Sequence, residues 1–184
     1  MEDADLVRLC QNGDIAAFEQ LFHRHQGRVY SVTRRMMNNE EDAEDLVQEI
    51  FLKAYQKIDK FRFTSAFSTW LYKLAVNQCI DQLRKRKSSF NTMPLEEAIL
   101  QVDENTPEDH ALLDDRDRQI WNAINSLRDK ERAIIILKDI EGLSYKEIAE
   151  VLKCSLGRVK SRLHEARQKL KAILEAETEL LTEI

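Results

Sequence analysis

The chain of 184 residues has few of the residues that turn the backbone in sheet-rich proteins: 4 glycines and 2 prolines. Because sheets need frequent turns, this scarcity favours long helices. No apolar run approaches the roughly 20 residues of a membrane span. The acidic start, Met1 to Asp5, is followed by no apolar stretch of the kind that a signal peptide contains. We therefore expect a helical protein without membrane insertion.

Cysteine and histidine are scarce as well. The three cysteines, Cys10, Cys79 and Cys154, are far apart, and their odd number does not fit a disulfide framework. Neither they nor the four histidines have the spacing of metal ligands, and no set of acid, base and nucleophile is suggested. We expect reduced, mostly core-filling cysteines, a cytoplasmic location, no cofactor, no metal and no enzymatic activity.

Charge is unevenly distributed, although the chain as a whole carries −5 at pH 7. Residues 60–90 contain 7 basic and 1 acidic side chains, and residues 153–171 again contain 7 and 1. Between these two blocks, residues 91–120 contain 2 basic and 9 acidic side chains. Since the local field decides what a surface binds, the two basic blocks remain compatible with nucleic acid despite the net charge.

Hydrophobic periodicity predicts amphipathic helices in the first half of the chain. Apolar side chains recur three or four residues apart from Phe18 to Met36 and again from Ala43 to Ile58. A third helix is expected to begin near Ser65 or Ser68 and to continue to the basic run Arg84 to Lys87, whose cations suit a helix C-terminus. With no convincing strand and no internal repeat, the predicted fold class is all-α.

The middle of the chain separates two helical parts. Pro94 and Pro107 both lie there, the periodicity weakens and acidic residues predominate. This composition is typical of an extended linker. We predict two small helical domains, at residues 1–90 and 114–184, joined by a flexible acidic linker over residues 91–113.

The region from Leu143 to Leu170 has the pattern of a helix-turn-helix. Ser144 and Glu147 form a capping box that opens a short helix, and Ser155 can cap a second helix with an apolar inner face. The outer face of that second helix can reach phosphates or base edges in a major groove with Arg158, Lys160, Ser161, Arg162, His164 and Arg167. An ordinary helical hairpin with a solvated basic face is the alternative. The coincidence of capping box, short turn and basic face favours DNA binding.

Glu165 interrupts this basic face. We expect it to pair with Lys169, four residues further along the same helix. Alternatively, Glu165 accepts a hydrogen bond from a cytosine amino group, or it is simply solvated.

Residues 61–87 combine aromatic and basic side chains, which suits single-stranded nucleic acid because aromatic faces stack bases and cations hold the backbone. Phe61 and Phe67 are expected in the core. Trp70 lies next to the core face, so it could serve either the core or an interface. Asn77, two turns from Trp70, could bond a base edge.

Four segments of the chain, in their order and spacing, resemble the extracytoplasmic-function (ECF) sigma factors, the smallest class of the bacterial sigma-seventy superfamily. The segments lie within Gly13–Phe22, Asp42–Tyr55, Phe61–Asn77 and Leu143–Arg167, so the resemblance covers most of the chain. One departure is the pair Phe63-Thr64, where the family often has Gly-Asp or a similar small polar pair.

This resemblance implies a transcription initiation factor that binds core RNA polymerase and directs it to promoters, with sigma domain two before the linker and sigma domain four after it. Core polymerase is expected to bind at Asp45, Gln48, Glu49, Leu52 and Lys53. The minus-ten element is expected to be read and opened by Phe63, Thr64, Ser65, Trp70, Lys73, Asn77 and Arg84. The minus-thirty-five element is expected to contact Ser155 and the six groove-facing side chains named above. A cognate anti-sigma factor is a further expected partner.

Two other classes of protein are alternatives to this interpretation. A two-domain transcriptional regulator would need a ligand pocket or a phosphoacceptor site in its N-terminal half, and neither a receiver pattern nor a glycine-rich phosphate loop is present. An enzyme would need convergent catalytic groups, and the histidines are scattered. Association with core polymerase distinguishes a sigma factor from both.

Overall fold

The computed structural model describes residues 1–92 and 115–182, and the regular elements in these ranges are all helical. The N-terminal unit contains α1 (Asp3–Gln11), α2 (Ile15–Met37), α3 (Glu40–Lys57) and α4 (Phe67–Thr92). A single 3-10 turn, Ile58–Lys60, and a short loop join α3 to α4. The all-α prediction is confirmed.

The C-terminal unit contains α5 (Asp115–Ser126), α6 (Asp129–Ile135), α7 (Tyr145–Val151) and α8 (Leu156–Thr182). A π-helical turn, Ile136–Ile140, continues α6. Gly142, with a φ of 72°, follows it in the left-handed region that glycine adopts without strain. The predicted linker lies mostly outside the described residues, and α4 runs through its first two positions, 91 and 92.

Helix α2 is the centre of the N-terminal core and packs against α1, α3 and α4. Side-chain caps begin α2 and α3, because Asp14 accepts from the Ala17 amide at 3.1 Å and Asn39 accepts from the Asp42 amide at 2.9 Å. The fully buried residues on the inner face of α2 recur at the predicted spacing: Leu21, Val29, Val32 and Met36.

Residues 133–137 of the C-terminal unit are buried on every side, as their continuous apolar sequence predicts. They pack against the inner face of α8, where Val159, Leu163 and Ala166 are buried. Because this core is made of bulky aliphatic groups from α6 and the following π-helical turn, it fixes the first part of α8, from Val159 to Ala166.

The two units contact each other through polar groups and through buried apolar side chains, which form one hydrophobic cluster across both units. Ser31 of α2 and Tyr72 of α4 both donate to the carboxylate of Glu141, at 2.6 and 3.0 Å. Arg132 of α6 donates to the Met36 carbonyl at 2.8 Å, and Lys87 at the end of α4 binds Asp129 at 2.9 Å. These contacts place α7 against α4.

Two of the three cysteines fill the core, in agreement with the prediction: Cys10 and Cys79 are buried and Cys154 is half-buried, and all three are free thiols. Burial raises the pKa of the Cys79 thiol to about 12, so it stays protonated and unreactive. Among the described helices, none has the length and apolarity needed to cross a membrane.

Candidate nucleic-acid interface

A loop over residues 62–66 joins the 3-10 turn to α4, and we call it the reading loop. It forms a wall of a cavity of about 490 Å³, here named the loop cavity. Four residues of the predicted minus-ten site line this cavity: Thr64, Ser65, Trp70 and Lys73. Lys60, Arg62 and Lys153 add three basic side chains that were not assigned to the site, and Glu150 adds one carboxylate. Cations beside an indole ring suit an unpaired nucleotide.

Trp70 packs against the core and also lines the loop cavity. Its indole ring lies 5.5 Å from the Phe61 ring and 5.6 Å from the Phe67 ring, measured between ring centres. Phe61 and Phe67 are buried, as predicted, whereas Trp70 is half-buried. Packing against the two phenylalanines therefore fixes the indole while part of it faces the cavity.

Phe63 lines a second cavity, of about 620 Å³, on the side of helix α1. Its backbone has a φ of 55°, in the left-handed region that a bulky residue rarely adopts, and its side chain is 40% exposed. The Arg8 guanidinium lies over the ring, 5.2 Å from its centre. The residues predicted as one minus-ten site thus face two neighbouring cavities, and Ser65 lines both.

Asn77 and Arg84 lie farther along α4, and neither lines the two cavities. Asn77 is exposed and follows Trp70 and Lys73 by seven and four residues, which places all three on one face of the helix. Arg84 is exposed, 3.7 Å from Asp81. The basic run that it begins was predicted to end the helix, but α4 continues to Thr92 and its last turn contains no basic residue. Asn77 and Arg84 extend the surface away from the reading loop.

The predicted helix-turn-helix is present in α7 and α8. The Ser144 amide and hydroxyl donate to the Glu147 carboxylate at 2.8 and 2.7 Å, and Glu147 in turn donates its amide to the Ser144 hydroxyl. Hydrogen bonds from Ser144 lower the pKa of the Glu147 carboxyl. At the turn, the Ser155 hydroxyl accepts from the Arg158 amide at 3.3 Å and so caps α8 as predicted.

The outer face of α8 carries the predicted groove-facing residues. Ser155, Arg158, Lys160, Ser161, His164 and Arg167 are exposed, and Arg162 is half-buried. Among these side chains, Arg167 forms an ion pair with another element, because its guanidinium contacts Asp139 of the π-helical turn. A duplex phosphate would have to compete with that carboxylate for Arg167.

The predicted pairing of Glu165 with Lys169 is wrong. The ammonium group of Lys169 pairs with Glu131 of α6, and Glu165 is exposed. The spacing of four residues allows the predicted pair, but packing of α8 against α6 brings a carboxylate 38 positions away within reach of the same ammonium group. Glu165 is left on the outer face, among the predicted groove-facing side chains.

The predicted polymerase-binding residues lie together along α3. Asp45, Gln48 and Glu49 are exposed, and the Leu52 side chain is 58% exposed although it is apolar. Lys53 is half-buried, with its ammonium group 4.0 Å from Glu49. Tyr55, three residues after Leu52, is also exposed and was not predicted to join this surface. An apolar centre with an acidic margin suits a basic partner that carries an apolar anchor.

Comparison with known proteins identifies the family. Residues 21–89 match Sigma-70 region 2, and residues 117–170 match Sigma-70, region 4. The chain is 37% identical over 180 residues to the ECF RNA polymerase sigma-E factor of Haemophilus influenzae, an alignment that covers 91% of this chain and 93% of the relative. The chain belongs to the ECF RNA polymerase sigma factors. It is therefore a transcription initiation factor that directs RNA polymerase to promoters.

Further relatives of this sigma factor agree in length and fold. The ECF RNA polymerase sigma factor SigW of Bacillus subtilis is 34% identical over 174 residues, which cover 90% of this chain and 92% of SigW. CnrH, solved with the cytosolic domain of CnrY, has a TM-score of 0.69 and 28% identity, with 95% and 97% of the two chains covered. RpoE of Bartonella quintana, solved with the anti-sigma factor NepR, has a TM-score of 0.67 and 27% identity, with coverages of 88% and 98%.

Proposed function

We propose that this sigma factor reads an opened minus-ten strand with the reading loop and α4, and a duplex minus-thirty-five element with α8. The observation that carries the proposal is the loop cavity. There the Trp70 indole, fixed by core packing, lies beside Lys60, Arg62 and Lys73. A fixed aromatic face stacks an unpaired base, and the neighbouring cations hold the strand's phosphates.

The reading loop can act only on a base that has left the helix stack, because its cavity is recessed between the loop and α4. Thr64 and Ser65 supply hydroxyl groups that donate to or accept from base edges. Asn77, exposed on the same face of α4 as Trp70, adds an amide for a second edge contact. We therefore assign promoter opening and minus-ten selectivity to this surface.

The upstream element is assigned to α8 because its exposed face is basic and begins at a capped helix N-terminus. Arg158 lies in the first turn, where side chains of a recognition helix reach base edges. Lys160 and His164 follow along the exposed face and are placed to contact phosphates.

Core polymerase is assigned to the outer face of α3, with Leu52 at its centre and Asp45, Gln48, Glu49 and Lys53 around it. In the initiation complex the polymerase carries out the chemistry, and we assign no catalytic step to this chain. We expect it to act in the cytoplasm, where polymerase and chromosome meet. Because CnrH and RpoE were each solved with a bound partner, NepR being an anti-sigma factor, we also expect a cognate anti-sigma factor.

The decisive experiment is transcription by core polymerase, with and without this protein, on a library of duplex promoters. The expected result is initiation from a defined subset of sequences only when the protein is present. Trp70→Ala should abolish selection at the minus-ten position, whereas Trp121→Ala removes an indole outside the proposed interface. A regulator of the repressor type would instead bind duplex DNA tightly without polymerase and leave core polymerase unselective.

A further inference from the structure

Helix α1 holds the reading loop at its root. The side-chain amide of Gln11, at the end of α1, donates to the Ile58 carbonyl at 2.9 Å and to the Phe61 carbonyl at 3.0 Å. These two acceptors belong to the 3-10 turn and to the residue just after it, which precedes the loop. One side chain thus uses both of its amide hydrogens to connect elements nearly 50 positions apart in the chain.

The same helix holds the loop again near its middle. Arg8, one turn before Gln11, places its guanidinium 5.2 Å from the centre of the Phe63 ring. Phe63 has a positive φ and also packs edge-on against Phe61, with 5.0 Å between ring centres. A bulky residue stays in such a backbone conformation only where its surroundings stabilise it. Contacts from α1 therefore determine the path of residues 61–63.

We propose that Gln11 is a positioning residue for minus-ten recognition, and that α1 sets the base selectivity of the reading loop without touching DNA. This inference rests on the proposed function of the loop. Thr64 and Ser65 follow directly on the segment that Gln11 fixes, so a shift of the Phe61 carbonyl moves both hydroxyls relative to Trp70. Base-edge hydrogen bonds tolerate little displacement before they weaken.

The test compares Gln11→Glu and Gln11→Ala with Gln20→Ala, a control that removes an exposed amide from α2. Gln11→Glu keeps the size of the side chain but replaces the two donors with an oxygen that repels both carbonyls. Initiation is measured on pre-melted promoters that carry each of the four bases at the selected minus-ten position. We expect the preference for the selected base to fall by roughly tenfold in both Gln11 variants, the effect expected when one base-edge hydrogen bond loses its geometry.

The ratio between bases separates positioning from stability, because a merely structural role would lower initiation on all four templates equally. Unchanged base preference in both Gln11 variants overturns the inference. Loss of preference in the Gln20→Ala control also overturns it. A wild-type protein without minus-ten preference would instead contradict the proposed function itself.

Discussion

Replacing Asn77 with alanine tests whether α4 reads an unpaired base beyond the loop cavity. The side chain is exposed and lies on the face of α4 that also carries Trp70 and Lys73. Alanine is the best helix former and asparagine a poor one, so the substitution should leave the free energy of unfolding unchanged within about 0.5 kcal/mol. Any loss of function then reports a lost contact with DNA.

The size of that loss follows from the kind of contact. An amide that pairs with a base edge contributes about 1–3 kcal/mol of discrimination, which corresponds to roughly 5- to 150-fold. Asn77→Ala should therefore slow open-complex formation on a duplex promoter by a factor in this range. Binding to core polymerase and to the upstream element should not change, since α3 and α8 do not carry this side chain.

The assay is permanganate footprinting of duplex promoter DNA beside transcription from a template already melted at the minus-ten position. The melted template should rescue the opening defect but not the lost base preference, because the missing contact still fails to select the base. Asn122→Ala, which removes an exposed amide from α5, is the matched control. Normal melting together with normal minus-ten preference in Asn77→Ala would refute the assignment of Asn77 to the minus-ten site.

Four further outcomes are expected. Charge reversal at Asp45 and Glu49 should weaken capture by core polymerase in a pull-down without lowering the melting temperature, because both side chains are exposed. Ser144→Ala should lower the free energy of unfolding by about 1 kcal/mol in denaturant titrations through loss of the helix cap. Because the folded pKa of Glu147 is lowered, its stabilisation should be full above its ordinary value of 4.5 and disappear as the pH falls through the folded value. Arg158→Ala should weaken binding to the upstream element in gel-shift assays with the holoenzyme. If Arg158 contacts a base, binding should weaken by about 1–3 kcal/mol at one position of the element. If it contacts a phosphate, binding should weaken equally for all sequences and depend less on salt.

Features that depend on neighbours within about one helical turn could be predicted from the sequence. Spacings of three and four residues predicted α2, α3 and the buried face of α8, because that period places side chains on one side of a helix. The capping box at Ser144 and the cap at Ser155 were predictable for the same reason: donor and acceptor lie three residues apart. The two basic blocks and the four ordered motifs were enough to identify the family.

Contacts that depend on long-range packing could be seen only in the folded structure. Gln11 reaches carbonyl groups 47 and 50 positions away, and Glu141 meets Ser31 across 110 positions, so no local pattern could reveal either contact. The same reason explains why Lys169 pairs with Glu131 rather than with Glu165. It also explains why Phe63 faces α1 while Thr64 lines the loop cavity. A side chain's nearest partner is set by which helices pack together, and that choice is made by the whole core rather than by the residues beside it.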